Sequence, residues 1–273
     1  EAIEIAKNVD VVVAVLGESG NMSGEARSKT DISIPNCQRE LLKALKATGK
    51  PIVLVLINGR PLTMEGDLKY ADAVLETWRL GTEAGDALAD VLFGNYNPSG
   101  KLTMTFPRSV GQIPIYYNHK NTGRPYTPGK KEDYVSNYRD QQNSPLFPFG
   151  YGLSYTSFSY SEISLSDTLL TGNAKILKAK VNVTNNGKFA GTETVQLYLN
   201  DPVASVTRPV KELKQFEKVN LQPGETKEVS FNITPKDLKF YNSHMAWDWE
   251  SGEFLVYLGT NSEEVKKAKF VWN

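Results

Sequence analysis

The spacing of apolar residues changes period partway along this chain, and that change dictates how many cores it must build and of what kind. Up to about residue 107, short apolar runs alternate with amphipathic stretches. VVVAVLG (11–17), PIVLVLING (51–59), AVLETW (73–78) and LTMTF (102–106) read as strands. The first two are apolar at successive positions, which predicts strands buried on both faces, as in a parallel sheet. Between them, NCQRELLKALKATG sets Cys37, Leu41, Ala44 and Leu45 on one helical face and stops at Gly49, with Pro51 beyond. TEAGDALADVLFG repeats the device, with Thr82 as N-cap and Gly94 as terminator. Strand and helix in alternation predict an open, mostly parallel α/β sandwich over 1–107. The chain opens on a helical pattern, Ile3, Ile5, Ala6 and Val9, that leads straight into the first strand. The expectation is a domain incomplete at its N-terminal side, with further strands supplied by another segment.

From residue 159 the period becomes two. YSEISLS, ILKAKVNVTNNG, GTETVQLYLND, VKELKQFEKVNL, TKEVSFNIT, GEFLVYLGTN and AKFVW read as strands, separated by turn signals such as Asn185-Asn186-Gly187 and Pro223-Gly224. In KAKVNVT, Ala179, Val181 and Val183 point one way, and Lys178, Lys180 and Asn182 the other. The fold class is therefore α/β plus all-β: the second part, 159–273, is a β-sandwich of the immunoglobulin or fibronectin III kind. The segment 108–158 between them is rich in Tyr, Pro, Asn and Gly. So many aromatic residues predict a connection packed against its neighbours.

Lys plus Arg and Asp plus Glu balance at 31 each, so no net field draws the chain to nucleic acid or to an anionic membrane. No apolar run reaches the roughly 18–20 residues of a membrane span. The opening EAIEIAKNVD lacks the basic start and apolar core of a signal peptide. A lone cysteine, Cys37, excludes an internal disulfide and reads as a small buried or half-buried side chain. The two histidines, His119 and His244, stand far apart with no ligand spacing, so no metal site is expected. A phosphate-cradling glycine turn and a Gly-x-Ser-x-Gly elbow are both missing, and no cofactor is implied. Trp247 and Trp249, near one another on a late strand, fit a sandwich core or a domain contact better than a sugar-stacking pair.

In an open parallel sheet, functional loops gather at the carboxyl ends of strands. The loop after the first strand, GESGNMSGEARSKTD (17–31), carries Glu18 and Glu25. In the bland reading Glu18 caps backbone amides or pairs with Arg27, and Glu25 is a solvated acid. Small neighbours favour chemistry for Glu25. Ser23, Gly24 and Ala26 let a bulky ligand approach the backbone and leave this carboxyl as the projecting group.

Five blocks now carry a resemblance that runs in order along nearly the whole chain. They are GESGNMSGEARSKTDISIPNCQRELLKALKATGKPIVLVLINGRPL, WRLGTEAGDALADVLFGNYNPSGKLTMTFP, PLFPFGYGLSYTSFSYS, VTNNGKFAGTETVQLYLNDP and RPVKELKQFEKVNLQPGET. Together they resemble the C-terminal part of glycoside hydrolase family 3, of the β-glucosidase type. The resemblance implies an α/β sandwich and a fibronectin III-like domain that follow a (β/α)8 barrel absent from these residues. It implies a retaining exo-glycosidase acting on a β-linked oligosaccharide or glucoside, with the nucleophilic aspartate on the barrel and Glu25 as the acid/base. Ser23 and Gly24 then frame the substrate loop, and Glu18 ends the strand and shapes it. Lys29 stands where related chains commonly carry Arg. A periplasmic or extracellular location is expected, and the barrel's absence implies that the chain is inactive without it. The alternative is a non-catalytic carbohydrate-binding or structural module.

Overall fold

The computed structural model describes residues 1–127, 129–130, 133–173 and 175–273. The chain divides into two compact units, Glu1–Ala89 with Phe106–Ile115, and Asp90–Thr105 with Tyr116–Asn273. Pro128, Lys131 and Glu132, which belong to the aromatic connecting segment, lie outside the described residues.

The first unit runs α1 (Ala2–Lys7), β1 (Val12–Gly17), α2 (Asn36–Lys46), β2 (Ile52–Ile57) and β3 (Ala73–Glu76), with α3 (Ala84–Leu92) following. The three strands form a parallel sheet in the order β1-β2-β3, with Val12 opposite Ile52 and Val53 opposite Ala73. The central strand behaves as its composition predicts, with Ile52, Leu54 and Leu56 fully buried. The edge strand does not: Val11, Val13 and Val15 are 48%, 48% and 55% exposed, while Ala14 is buried. Within this unit one face of β1 is covered and the other is open, so its unbroken apolar run does not mean burial on both faces.

Helix α2 also turns differently from the expected face. Leu42 and Leu45 are buried and Cys37 is exposed. The inward stripe runs through Gln38, Leu42 and Leu45, at i, i+4 and i+7, and Cys37 lies about 100° round the helix from Gln38. Gln38 uses that position to clamp the end of β1. Its Oε1 accepts the Gly17 N–H at 2.7 Å, and its Nε2 donates to the Gly17 carbonyl at 3.0 Å. LTMTF forms no strand. Leu102 exchanges one pair of hydrogen bonds with Gly150 and Tyr151, and Gly150, at φ +80, turns its chain away. Phe106, at the end of that run, is buried with its ring 5.7 Å from that of Trp78.

In the second unit the strands are β4 (Phe158–Tyr160), β5 (Ser164–Leu165), β6 (Leu169–Leu170), β7 (Leu177–Asn185), β8 (Gly191–Asn200), β9 (Glu212–Leu221) and β10 (Thr226–Ile233). A short helix, α4 (Pro235–Leu238), precedes β11 (Phe240–Tyr241), β12 (Trp247–Asp248), β13 (Gly252–Gly259) and β14 (Val265–Trp272). One sheet orders β10-β7-β4, with β5 also on β7; the facing sheet orders β6-β14-β13-β8-β9. Ala179, Val181 and Val183 point into the core as alternation predicts, with Leu197, Val256, Phe270 and Trp272 in the same buried cluster. Trp249 packs against this core and donates Nε1–H to Asn173 at 2.8 Å, whereas Trp247 is 56% exposed beside Tyr241 on the β11–β12 hairpin. From Tyr116 onward the aromatic segment belongs to the same unit, with Tyr117 stacked on Phe149 at 4.3 Å and edge-on to Tyr198. Half-buried Lys101 sits between Glu193 at 3.3 Å and Thr260 at 2.8 Å, and the Tyr160 hydroxyl donates to Glu193 at 2.8 Å.

The close passage of Gly17 is the first unit's most specific demand. Its φ is +134, and a Cβ there would lie 2.1 Å from the Ile57 carbonyl oxygen. Gly17→Ala is therefore expected to destabilise the sheet by on the order of 3 kcal/mol through backbone strain and overlap. Urea unfolding checks this, and an unchanged midpoint refutes it.

Candidate functional site

The carboxyl ends of β1, β2 and β3 lie side by side, so the residues that follow them meet at one sheet edge. Glu18 comes first after β1 and is buried, its side chain wholly withdrawn from solvent. It pairs with Arg60, whose Nε lies 3.0 Å from Oε1 and donates to Oε2 at 3.3 Å. The Gly59 N–H also donates to Oε2 at 3.3 Å, and Lys29 Nζ lies 3.8 Å from Oε1. Among the described residues Oε1 has charge beside it without a well-directed hydrogen bond. Glu18 is thus an anchor: it caps an amide as the bland reading has it, with Arg60 and Lys29 as cationic partners in place of Arg27.

The same arginine grips the loop backbone. Arg60 Nη2 donates to the Met22 carbonyl at 2.7 Å and to the Arg27 carbonyl at 2.8 Å. A second arginine, Arg79 after β3, reaches the other flank. Its Nη2 donates to Ser23 Oγ at 2.6 Å and to the Ser19 carbonyl at 3.1 Å. Ser23 rests on Gly59, where a Cβ would lie 2.6 Å from Ser23 Oγ, so the loop lies directly on the turn after β2. Ser23 is therefore a fastening point of the loop.

Between these fastenings stands Glu25. Gly24 before it takes φ +129 and Ala26 after it φ +55, both left-handed values, and the Arg27 N–H closes the turn onto the Gly24 carbonyl at 3.2 Å. Only glycine adopts the first value freely, and an alanine in the second stores strain of the kind found at functional sites. Glu25 is exposed, and no ion pair or hydrogen bond among the described residues engages its carboxylate. The arrangement holds the two flanks and leaves the acid at the apex free.

Glu76, Trp78 and Asn58 complete the edge. The Glu76 carboxylate accepts from the Trp78 N–H at 3.0 Å and from Asn58 Nδ2 at 3.3 Å. Burial pushes its carboxyl up to about 7, and those two donors only partly offset the loss of water. Arg60, Arg79, Asn58 and Glu76 went unrecognised in the sequence, although the topology rule that singled out Glu25 applies equally to residues after β2 and β3. Among the described residues no group of three or more His, Cys, Asp or Glu side chains could hold a metal ion. A cavity of about 590 Å³ opens in the second unit, lined by Tyr151, Phe158, Tyr160, Glu193 and Thr260; it contains none of the residues of this sheet edge.

Removing Arg60 strands a buried carboxylate. Arg60→Leu is expected to cost about 3–5 kcal/mol, and the double change Glu18→Leu with Arg60→Leu should recover part of it by removing the charge that was left unpaired. Urea unfolding of the three proteins decides, and a single variant as stable as the parent refutes the anchor.

Residues 1–155 match the glycosyl hydrolase family 3 C-terminal domain, and residues 193–262 match a fibronectin type III-like domain. A periplasmic beta-glucosidase of Salmonella typhimurium is 57% identical over 270 residues, covering 99% of this chain and 35% of its own length. A beta-xylosidase of Formosa agariphila is 44% identical over 267 residues, covering 96% of this chain and again 35% of its own length. The solved beta-glucosidase from Listeria innocua in complex with glucose has a TM-score of 0.94 at 46% identity, over 99% of this chain and 38% of that one. The chain therefore spans roughly a third of the length of these relatives, and it belongs to glycosyl hydrolase family 3, in the part formed by that family's C-terminal and fibronectin III-like domains.

Proposed function

We propose that this chain supplies the proton-transferring group of a retaining, exo-acting β-glucosidase, with Glu25 as general acid/base and the attacking aspartate on an N-terminal barrel. The observation that supports the reading is the presentation of Glu25: an exposed, unengaged carboxyl on a loop whose flanks are held by Arg60 and Arg79. Relatives named beta-glucosidase and beta-xylosidase support the substrate class, a terminal β-linked sugar on an oligosaccharide or glucoside. The name of the Salmonella relative supports a periplasmic or extracellular setting. Among the described residues no helix is long and apolar enough to cross a membrane.

In the first step the barrel aspartate forms a bond to the anomeric carbon. The bond from that carbon to the leaving oxygen breaks, and Glu25 gives its proton to that oxygen. In the second step the Glu25 carboxylate takes a proton from water as that water attacks the anomeric carbon. The aspartate leaves, and the sugar departs with its configuration retained. Two carboxyl groups about 5–5.5 Å apart are required, so the barrel must close over the loop apex.

A single carboxyl cannot carry out double displacement, and the 273-residue chain alone is expected to be inactive. In the complete enzyme, Glu25→Gln should lower kcat/KM by about 10²–10⁴-fold on alkyl glucosides. A dinitrophenyl glucoside, whose leaving group needs little protonation, should lose far less. Unchanged turnover of alkyl glucosides refutes the assignment and leaves a non-catalytic module; hydrolysis of an aryl glucoside by the isolated chain refutes the dependence on a barrel.

A further inference from the structure

Glu76 ends β3 and both of its carboxylate oxygens accept hydrogen bonds, Oε1 from the Trp78 N–H and Oε2 from Asn58 Nδ2. The first bond closes a tight turn in which Trp78 takes φ +52, a conformation that large side chains avoid. That reversal sends the next residue, Arg79, across the sheet edge to Ser23 and Ser19. The second bond reaches Asn58, which is fully buried and also donates to the Arg60 carbonyl at 2.9 Å. One carboxylate thereby joins the turn that aims Arg79 to the Asn58 side chain that holds the Arg60 carbonyl. Both arginines hold the flanks of the Glu25 loop.

We propose that Glu76 is a positioning residue for the Glu25 loop: as a carboxylate it fixes the Trp78 turn that carries Arg79 to Ser23, and a proton on it loosens turn and loop together. The proposal rests on Glu25 as acid/base only for its effect on turnover; the effect on loop order stands apart. Each oxygen accepts one N–H and keeps a second lone pair, so a proton adds without displacing either donor, but it removes the negative charge that strengthens both bonds shaping the turn. Burial and the two N–H donors act on the Glu76 carboxyl, and among the described residues no charged group contributes. Cations elsewhere in this unit have their own partners. Arg60 and Lys29 face Glu18, Arg79 faces Ser23, and Arg108 on the 106–115 segment pairs with Glu65. Among the described residues no cation pairs with Glu76.

The sign of the pH effect separates positioning from plain stability. A carboxyl with its folded value near 7 and an unfolded value near 4.5 binds its proton more tightly in the fold. Global stability contributed by this group therefore falls as pH rises through that window. Loop order should move the opposite way, rising as Glu76 ionises, because loosening the turn takes away the N–H donors that favour the carboxylate while the carboxyl stays buried.

Amide hydrogen exchange on the complete enzyme tests this, comparing the parent with Glu76→Gln and Arg79→Met between pH 5.5 and 8.5 after correction for intrinsic exchange. In the parent, protection of residues 19–27 should increase roughly tenfold through pH 7 as the turn closes. Both variants should stay weakly protected at every pH. At pH 8 each should lower kcat on an alkyl glucoside by roughly ten- to a hundredfold, as misplacement of a catalytic group does, with little change in KM. The double variant should be no worse than either single, because both act on one link. A pH-independent loop in the parent, or parent-like protection in Glu76→Gln, overturns the proposal. If Glu76→Gln fails to fold, the exposed Arg79→Met carries the same test, and parent-like protection there is equally fatal. Should Glu25→Gln retain full turnover, the acid/base reading falls while the exchange comparison still judges Glu76.

Discussion

A carboxylate with no solvent-accessible side-chain surface must be matched by a cation and by N–H donors, and at the end of β1 that requirement organises everything around it. Glu18 draws in Arg60 and the Gly59 amide from the turn after β2, with Lys29 returning from the far side of its own loop. Pairs of this kind add little net stability over apolar replacements, because desolvation costs most of what the attraction supplies. What the pair adds is position. With its Nε committed to Glu18, the Arg60 guanidinium turns Nη2 toward the carbonyls of Met22 and Arg27, and both ends of the turn bearing Glu25 are fastened to it.

Parallel strands make such a site economical, since consecutive strand ends deliver their side chains to one edge without long connections. β1 brings the loop, β2 brings Arg60 and Asn58, and β3 brings Glu76 and Arg79. Gly17 and Gln38 set the starting direction of the loop. The glycine permits contact with the Ile57 carbonyl, and the glutamine side chain supplies the pair of hydrogen bonds that a neighbouring strand would give. The second unit is built on another plan, a sandwich core closed by large aromatic side chains such as Phe254, Phe270 and Trp272.

Much of this was legible from residue patterns. Period-two alternation placed Ala179, Val181 and Val183 in the sandwich core, and the strand–helix alternation identified the parallel sheet and the loop that bears Glu25. Periodicity was silent on what covers a strand: VVVAVLG reads as buried on both faces, yet Val11, Val13 and Val15 are open on an edge strand. It also placed the inward face of α2 one residue away from Gln38, and so took Cys37 for a buried side chain when it is exposed. Arg60 and Arg79 escaped notice because their partners lie 33–60 positions away in sequence, and no local pattern records such pairings. Glu76 reads as an ordinary strand-end acid until burial and the Trp78 turn are known.

The direction in which the Glu25 carboxyl points when a sugar is bound decides whether the loop does chemistry. A crystal structure of the complete enzyme, with its nucleophile disabled and an oligosaccharide spanning the cleavage point, measures that directly. The expected result is a Glu25 carboxyl oxygen about 2.6–3.2 Å from the oxygen of the scissile linkage, with Arg60 and Arg79 still holding the loop flanks. A Glu25 side chain directed away from that oxygen, with another carboxyl in its place, would contradict the acid/base role.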